Sequence, residues 1–154
     1  MSSHHGILIH VVFSVKYRKP RLRASWRDDL YAYIGGTVRE HDATLLQIGG
    51  VEDHIHLLIR VHPKHSISST IQLIKANSSR WINENHRMAL KFQWQTGYGA
   101  FSVSQSMTET VKTYIANQVE HHRRVTFQDE YLAFLKKHGI QFDPRHVFEQ
   151  EVVA

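Results

Sequence analysis

Apolar and polar residues alternate with a period of two in several parts of the chain, which predicts β-strands. From Ile7 to Val15 both sets of alternate positions are largely apolar, a pattern typical of a central strand. Thr44–Ile48 and His54–Val61 also read as strands, and Gly49-Gly50 between them predicts the tight turn of a hairpin. Two shorter alternating segments predict strands at Phe92–Gln95 and Phe101–Ser104.

Other segments place their apolar residues three or four positions apart, which predicts helices. Ser25 is suited to capping the first helix, which contains Gly35-Gly36. Two glycines inside a helix lower its stability and indicate that another backbone passes close by. A second predicted helix carries one apolar stripe from Ile67 to Trp81.

Two further helices are predicted near the C-terminus. Ser106 and Glu109 have the spacing of a capping box, so a third helix is expected to begin there and to run to about His122. A last helix is predicted from Thr126 to Gly139. The expected buried stripe of the third helix consists of Val111, Ile115 and Val119.

The predicted elements follow the order βαββαβ and then two helices, which is the order of an α+β, ferredoxin-like split βαβ sandwich. In such a fold an antiparallel sheet carries helices on one face, and the open face is a common place for nucleic acid to lie. We interpret residues 1–154 as one domain, with a core at about 7–138 and a C-terminal tail at 139–154.

Composition narrows the classes of protein that remain. Lys and Arg number 19 against 14 Asp and Glu, and the resulting net charge of +5 favours a polyanionic partner. Cysteine is absent, so disulfide frameworks, zinc fingers and thiol nucleophiles are excluded. The apolar segment from Ile7 to Val15 is too short to span a membrane and lacks signal-peptide features. We therefore expect a cytoplasmic protein with no membrane contact.

Two histidines in the third predicted strand are the first candidates for chemistry. His54 and His56 flank Ile55, and alternate residues of a strand face the same way. The two imidazoles then lie about 7 Å apart along the strand and can converge on one metal ion. The simpler alternative is a pair of polar side chains on a solvent-exposed face of the sheet.

The third predicted helix carries the second candidate site. Tyr114 and Gln118 are four residues apart, so they lie one above the other beside the apolar stripe. This arrangement presents a phenol and an amide to a neighbouring surface. The alternative is a tyrosine that packs at the edge of the core with its hydroxyl in water.

A run of basic residues between the first strand and the first helix contains no acid. Its cations can contact DNA phosphates and release counterions, or they can simply form a solvated charged surface. A second basic cluster occupies residues 121–124. The candidate nucleic-acid contacts are Lys16, Arg18, Lys19, Arg21 and Arg23.

Four blocks of the sequence resemble, in order, the HUH single-tyrosine transposases of bacterial insertion sequences and their REP-associated relatives. In this family two histidines flank a hydrophobic residue, as His54 and His56 flank Ile55 here. The resemblance extends over roughly residues 7–135. The four blocks are Phe13–Pro20, Gly50–Ile59, Trp94–Ser104 and Tyr114–His122.

The resemblance implies an enzyme that cleaves and rejoins single-stranded DNA through a 5′-phosphotyrosine intermediate. By position, Tyr114 matches the nucleophile, His54 and His56 match the metal-binding pair, and Gln118 matches the third metal ligand. The implied ion is Mg²⁺ or Mn²⁺, although ligand softness alone favours Mn²⁺ or zinc for imidazoles.

The resemblance also implies a homodimer that recognises DNA with hairpin ends. Tyr114 of one subunit would then complete either its own metal site or that of the partner subunit. No nucleotide cofactor is expected, because transesterification conserves bond energy and the sequence has no phosphate-binding GxxxxGK[ST] loop.

Two other functions fit parts of the same pattern. A non-catalytic ferredoxin-like nucleic-acid-binding module would stack bases on Phe13, Trp94 and Phe101 and would not need the histidines and the tyrosine together. A metal-dependent hydrolase would use water as its nucleophile in place of Tyr114, and it would form no covalent intermediate.

Overall fold

The computed structural model describes residues 1–86 and 88–149, so the last part of the predicted tail, residues 150–154, lies outside the described residues. No helix of the described residues is long and apolar enough to cross a membrane. The elements are β1 (Ile7–Ser14), α1 (Ala24–Glu40), β2 (Thr44–Gly50), β3 (His54–Val61), α2 (Ile67–Asn85), β4 (Gly99–Val103), α3 (Thr108–Ala116), α4 (Gln118–His121) and α5 (Phe127–Lys137), with 3₁₀ turns at Lys16–Arg18 and Gln105–Met107.

The strands form one antiparallel sheet in the order β2-β3-β1-β4. Central strand β1 pairs with β3 along its whole length, from Ile7 opposite Val61 to Ser14 opposite His54, and with β4 on its other side. Helices α1 and α2 connect β1 to β2 and β3 to β4. This arrangement confirms the predicted α+β, ferredoxin-like split βαβ sandwich.

The main core lies between the sheet and helices α1 and α2. Every fourth residue of α1 from Leu30 to Val38 is fully buried against the sheet, as the helical spacing predicted. Each such side chain stabilises the fold by about 1.5–3 kcal/mol through burial, which fixes the strands on which the site is built. The sheet contributes Ile9, Val11, Phe13, Ile55, Leu57 and Ile59.

The second face of the sheet is covered by the C-terminal helices, so the expectation of an open face was wrong. A small apolar cluster joins Ile115 of α3 to Leu58, and another joins Phe127 of α5 to Val12. Apolar periodicity shows that a helix is amphipathic but not which layer it covers, which is why the sequence left this face open. Nucleic acid cannot lie directly on the part of the sheet beneath these helices.

Gly49 and Gly50 are the last residues of β2 and do not form the predicted hairpin turn, which lies at residues 51–53. Helix α3 passes so close that a Cβ atom on Gly49 would lie 2.2 Å from the carbonyl oxygen of Ile115. The close backbone approach predicted at Gly35-Gly36 is not found, because the nearest atoms there belong to the side chains of Leu45 and Arg39, at 3.7–3.9 Å.

Two predicted helix caps were also wrong. Arg23 occupies the N-cap position of α1, so Ser25 lies inside the first turn. Helix α3 begins only at Thr108, because the preceding residues form a 3₁₀ turn. The hydroxyl of Ser106 is therefore paired with that of Ser104 at 3.1 Å instead of capping the helix.

The last helices follow the sequence pattern more closely. The third predicted helix is interrupted at Asn117 and continues as α4, which leaves Val119 51% exposed and ends the buried stripe at Ile115. Helix α5 has the predicted cap, since the Thr126 side chain accepts the backbone N–H of Asp129 at 3.2 Å.

The predicted strand at residues 92–95 contributes only an isolated bridge between Val15 and Trp94. The backbone of Phe92 is paired with the side chain of Asn83, which accepts its N–H at 2.8 Å and donates to its carbonyl oxygen at 3.1 Å. A side chain thus replaces the strand partner that the alternating pattern predicted.

Three aromatic side chains were expected to form a base-stacking surface in the non-catalytic alternative. Phe13 and Trp94 are buried in the main core, and Phe101 is buried beneath α5. None of the three presents an open ring face on which a base can stack. The surface on which that alternative depends is therefore absent from the described structure.

Candidate active site

Strand β3 places His54 and His56 on the face that the C-terminal helices cover, while Ile55 between them enters the main core. Both imidazoles are fully buried, with ring centroids 5.1 Å apart. The Nδ1 atom of His54 lies 2.6 Å from Asp53 Oδ1, and that of His56 lies 2.8 Å from His10 Nε2. Such partners orient an imidazole. Both Nε2 atoms face the same small space beneath α3 and α5.

Helices α3 and α4 bring Tyr114 and Gln118 to this space. The side-chain oxygen of buried Gln118 lies 3.4 Å from His54 Nε2 and 2.8 Å from His122 Nε2. The hydroxyl of half-buried Tyr114 lies 3.3 Å from His121 Nε2. The two histidines, the tyrosine and the amide singled out in the sequence therefore lie together within one chain.

The centre of this cluster is Glu130, a residue that the sequence reasoning missed. Glu130 lies in the first turn of α5 and is only 4% exposed. Its Oε1 atom lies 2.8 Å from His56 Nε2 and 3.4 Å from His54 Nε2. The contacts of its Oε2 atom are with His121 Nε2 at 3.1 Å, with His122 Nε2 at 3.2 Å and with the Tyr114 hydroxyl, which donates to it.

An acidic residue in the first turn of a helix usually interacts with the helix dipole, so Glu130 carries no obvious sign of another role. His122 likewise reads as part of a basic cluster. The sequence does contain one indication that Glu130 is buried. Thr126 caps α5 and so fixes which residues of the helix face the core. Glu130 then falls between Phe127 and Phe134 on the buried side, and a carboxylate there requires a buried partner.

Burial and hydrogen bonding determine the charges in the cluster. Burial acts to raise the pKa of Glu130, but hydrogen bonds with the surrounding imidazoles outweigh it and hold the pKa well below its usual range. Burial, and then the bond to Glu130, raises the pKa of Tyr114. Burial lowers the pKa of His56 to about 4, whereas for His54 the bonds to Asp53 and Glu130 overcome burial and raise the pKa. The cluster thus contains a charged carboxylate beside a protonated phenol.

The donor atoms of the cluster fit a divalent metal ion. One ligand atom from each of four residues lies within 4.8 Å of the others, and these residues are His54, His56, His122 and Glu130. Three imidazoles and a carboxylate are ligands that suit first-row transition ions. Gln118, the third ligand implied by the resemblance, adjoins this group through His54 and His122.

The predicted DNA-contacting residues Lys16, Arg18, Lys19, Arg21 and Arg23 all lie between β1 and α1. Arg18 donates to the carbonyl oxygen of Glu149 at 3.0 Å, and Arg21 donates to that of Lys91 at 3.1 Å. A cleft of about 410 Å³ connects this part of the chain with the histidine cluster; its lining includes Pro20, Arg27, Asp53 and His122. The segment between β1 and α1 thus reaches this cleft at Pro20, and the five predicted contact residues are not among its lining.

Two solved structures share this fold. One, a protein from Deinococcus radiodurans R1 assigned as a transposase, has 21% sequence identity and a TM-score of 0.63 over 77% of this chain and 95% of its own. The other, a REP-associated tyrosine transposase bound to a REP hairpin, has 14% identity and a TM-score of 0.61 over 100% of both chains.

Sequence comparison agrees with the structural comparison. The transposase for insertion sequence element IS200 of Salmonella typhimurium is 29% identical over 117 residues, which cover 72% of this chain and 76% of the relative. The corresponding Salmonella typhi transposase matches equally well. The sequence model of the family described as "Transposase IS200 like" matches residues 3–118. Since this match spans most of the sequence, the chain belongs to the IS200-like transposase family.

Proposed function

We propose that this protein cleaves and rejoins single-stranded DNA through a 5′-phosphotyrosine intermediate formed on Tyr114. The observation that supports the proposal is the convergence of the Tyr114 hydroxyl, the imidazoles of His54 and His56, and the Glu130 carboxylate in one site. A phenol beside a cluster of potential metal ligands suits nucleophilic attack on a phosphodiester. A protein that only binds DNA has no need for this arrangement.

The proposed ligands for a divalent ion are His54, His56 and Gln118, together with His122 or Glu130. Mg²⁺ and Mn²⁺ are the ions implied by the family resemblance, and the imidazole-rich donor set favours Mn²⁺ of the two. A bound ion would polarise the scissile phosphate and neutralise charge on the departing oxygen. The chain's own contribution is to bury these donors and to hold the Tyr114 hydroxyl beside them.

In the proposed reaction the Tyr114 oxygen forms a bond to phosphorus as the bond from phosphorus to the DNA 3′ oxygen breaks. The 5′-phosphate remains on Tyr114, and the departing 3′ oxygen takes up a proton. Two acceptors for the phenol proton lie within reach, since the hydroxyl donates to Glu130 Oε2 and lies 3.3 Å from His121 Nε2. Attack by a different 3′-hydroxyl reverses the step and joins a new strand, so no nucleotide cofactor is required.

The proposed substrate is single-stranded DNA whose ends fold into hairpins. A structural relative is bound to a REP hairpin. The basic segment between β1 and α1, which contains Lys16, Lys19 and Arg23, adjoins the cleft beside the cluster at Pro20. We further propose that the protein acts as a homodimer in the cytoplasm. Since His54, Tyr114 and Glu130 meet within one chain, each subunit holds one complete set of the proposed groups.

Covalent attachment to DNA tests this function directly. The protein would be incubated with Mn²⁺ and labelled single strands taken from the DNA that flanks its own gene, and then separated on a denaturing gel. We expect a DNA–protein adduct that disappears in Tyr114→Phe and in His54→Ala. Tyr33→Phe serves as the matched control, because it removes a phenol hydroxyl from α1, outside the site. Cleavage without an adduct would identify a hydrolase, and binding without cleavage would identify a non-catalytic module.

A further inference from the structure

A second cavity, of about 680 Å³, lies between helix α2 and the segment 91–98. Its floor is formed by the main core, through Ile71 of α2 together with Phe92 and Trp94. The histidine cluster lies on the other face of the sheet, beneath α3 and α5. Segment 91–98 contributes no ligand atom to that cluster among the described residues, so the proposed chemistry leaves this cavity without a role.

The charged side chains that line the cavity are cations, and the Glu149 carboxylate reaches its rim at Thr96. Among the described residues, the cavity lining includes three lysines, Lys16, Lys75 and Lys91, and no acidic residue. Amide and hydroxyl side chains provide further hydrogen-bonding groups, namely Gln72, Gln93, Gln95, Ser68, Ser79 and Thr96. A lining of this kind suits an anionic ligand that also carries polar edges.

Hydrogen bonds fix the segment that forms one wall of the cavity. The indole Nε1 of Trp94 donates to the Ser78 hydroxyl at 2.9 Å, and the backbone N–H of Gln95 donates to the carbonyl oxygen of Ser14 at 2.9 Å. Lys75 Nζ donates to the carbonyl oxygens of Gln95, at 2.9 Å, and of Gly97. The wall is therefore preformed, and the ammonium group of Lys75, which belongs to α2, is held against it.

The rim of the cavity supplies an exposed aromatic ring and an anion contact. Tyr98 is 37% exposed, and Lys75 Nζ lies 6.0 Å from the centre of its ring. The backbone N–H of Thr96 donates to the carboxylate of Glu149, so this rim already holds a negatively charged oxygen. A stacking ring beside ammonium groups is the combination by which proteins hold single-stranded nucleic acid.

We propose that the cavity between α2 and segment 91–98 binds a nucleotide of single-stranded DNA, with its base against Tyr98 and its phosphate near Lys91 and Lys16. This inference rests on the proposed DNA substrate, and it adds a binding site on the face of the sheet opposite the histidine cluster. A strand held in both places would pass from the cavity across the basic segment, because Lys16 belongs to both.

Equilibrium binding in the Tyr114→Phe background tests the cavity without interference from cleavage. The probe is a fluorescently labelled single-stranded oligonucleotide of mixed sequence, followed by anisotropy. We expect Tyr98→Ala to weaken binding at least about fivefold, the loss expected for one stacked base, and Tyr98→Phe to stay within about twofold. Loss of the hydroxyl alone thus separates stacking from hydrogen bonding.

The lysine contact is tested by the dependence of affinity on salt. Lys91→Ala should reduce the slope of log affinity against log salt by about 0.7, the value for one phosphate contact on a single strand. Lys64→Ala is the matched control, because Lys64 is equally a surface lysine but pairs with Asp42 at 2.8 Å, away from the cavity. Its slope should equal that of the parent. The thermal unfolding midpoint of each variant shows whether it is folded.

Parental affinity and parental salt slope in both Tyr98→Ala and Lys91→Ala would overturn the proposal. The adduct assay on the unmodified protein separates this result from a failure of the proposed function. If the protein forms the adduct but the cavity variants bind normally, only the cavity proposal fails. If no adduct forms but the cavity variants lose affinity, the cavity stands and the strand-transfer function fails.

Discussion

The hydroxyl of Tyr114 donates a hydrogen bond to the carboxylate of Glu130, which connects helix α3 to helix α5 directly over the two histidines of β3. Because Oε1 of the same carboxylate faces His54 and His56, Glu130 links the proposed nucleophile to the proposed metal ligands. Any change in the position of α5 therefore changes the environment of both.

Glu130→Gln should weaken the binding of Mn²⁺ at least about tenfold. The substitution keeps the shape of the side chain but removes the only carboxylate among the four clustered donors, and loss of charge lowers affinity for a hard divalent ion. Isothermal titration of the purified protein with Mn²⁺ at neutral pH measures the effect. Asp129→Asn provides the control, because it neutralises the neighbouring carboxylate, and its affinity should match that of the parent. Equal affinities in Glu130→Gln and the parent would remove Glu130 from the ligand set.

His122→Ala should weaken metal binding about tenfold or more, and it should weaken Zn²⁺ binding more than Mn²⁺ binding. His122 supplies one of three imidazoles in the cluster, and imidazole is a better ligand for Zn²⁺ than for Mn²⁺. Competition with a chromogenic chelator measures both affinities. His121→Ala removes the adjacent imidazole, which does not belong to the four-residue group, so it should leave both affinities unchanged. The opposite ranking of the two variants would assign the role to His121.

Gly49→Ala should destabilise the protein by about 1–3 kcal/mol, the usual cost of forcing a methyl group into a packed site. The added Cβ would overlap the carbonyl oxygen of Ile115, so α3 must move away from β2. Urea denaturation at constant pH gives the change in free energy of unfolding. Gly36→Ala is the matched control, since the nearest atom is 3.9 Å away and alanine favours the helix by up to about 1 kcal/mol. A Gly49→Ala variant as stable as the parent would mean that α3 does not rest on this strand.

Lys75 should react with amine reagents at a lower pH than is usual for a lysine side chain. Burial lowers the pKa of Lys75 to about 8, although the nearby Glu149 carboxylate acts to raise it. The ammonium form therefore predominates below pH 8 and the nucleophilic amine above it, whereas an ordinary lysine becomes reactive near its pKa of about 10.4. Pulse labelling across a pH series, read by peptide mass spectrometry, gives the midpoint for each lysine. A Lys75 midpoint near that of Lys64 would contradict the prediction.

The same pKa predicts the effect of pH on DNA affinity. As pH rises from 7 to 9, Lys75 loses its positive charge and the positive potential of the cavity falls, so single-stranded DNA held there should bind less tightly. Lys75→Met fixes the side chain without charge and should make affinity nearly independent of pH over this range. An unchanged pH dependence in that variant would separate Lys75 from the DNA.

Much of the fold follows from local periodicity, which the sequence displays directly. The period of two around His54 and His56 places both imidazoles on one face, and the split βαβ order follows from the succession of patterns. The packing of the C-terminal helices over the histidines does not follow from periodicity. Glu130 reaches the histidines only because α5 packs across β1, and no spacing along the chain encodes that contact.

Contacts that the local spacing does not show also explain why the predicted turn at Gly49-Gly50 and the predicted cap at Ser106 were wrong. Gly49-Gly50 has the composition of a turn, but Gly49 lies where α3 crosses β2, a contact between residues far apart in sequence. A Cβ atom on Gly50 would instead meet the backbone of His54 and Ile55 in β3. Ser106 has the spacing of a capping box, but the 3₁₀ turn before α3 takes over its position. Short-range rules thus identify elements, whereas contacts between elements decide the meaning of individual glycines and caps.

The main core is larger than the two apolar clusters beneath the C-terminal helices, and this difference affects which substitutions the fold tolerates. The main core ties the sheet to α1 and α2, while α3 and α5 rest on the opposite face through two small apolar clusters. We therefore expect substitutions in the C-terminal helices to alter the proposed chemistry while the scaffold keeps most of its stability. A chain that has lost Tyr114 or Glu130 can therefore keep this fold, so the fold alone does not show that the proposed reaction is retained.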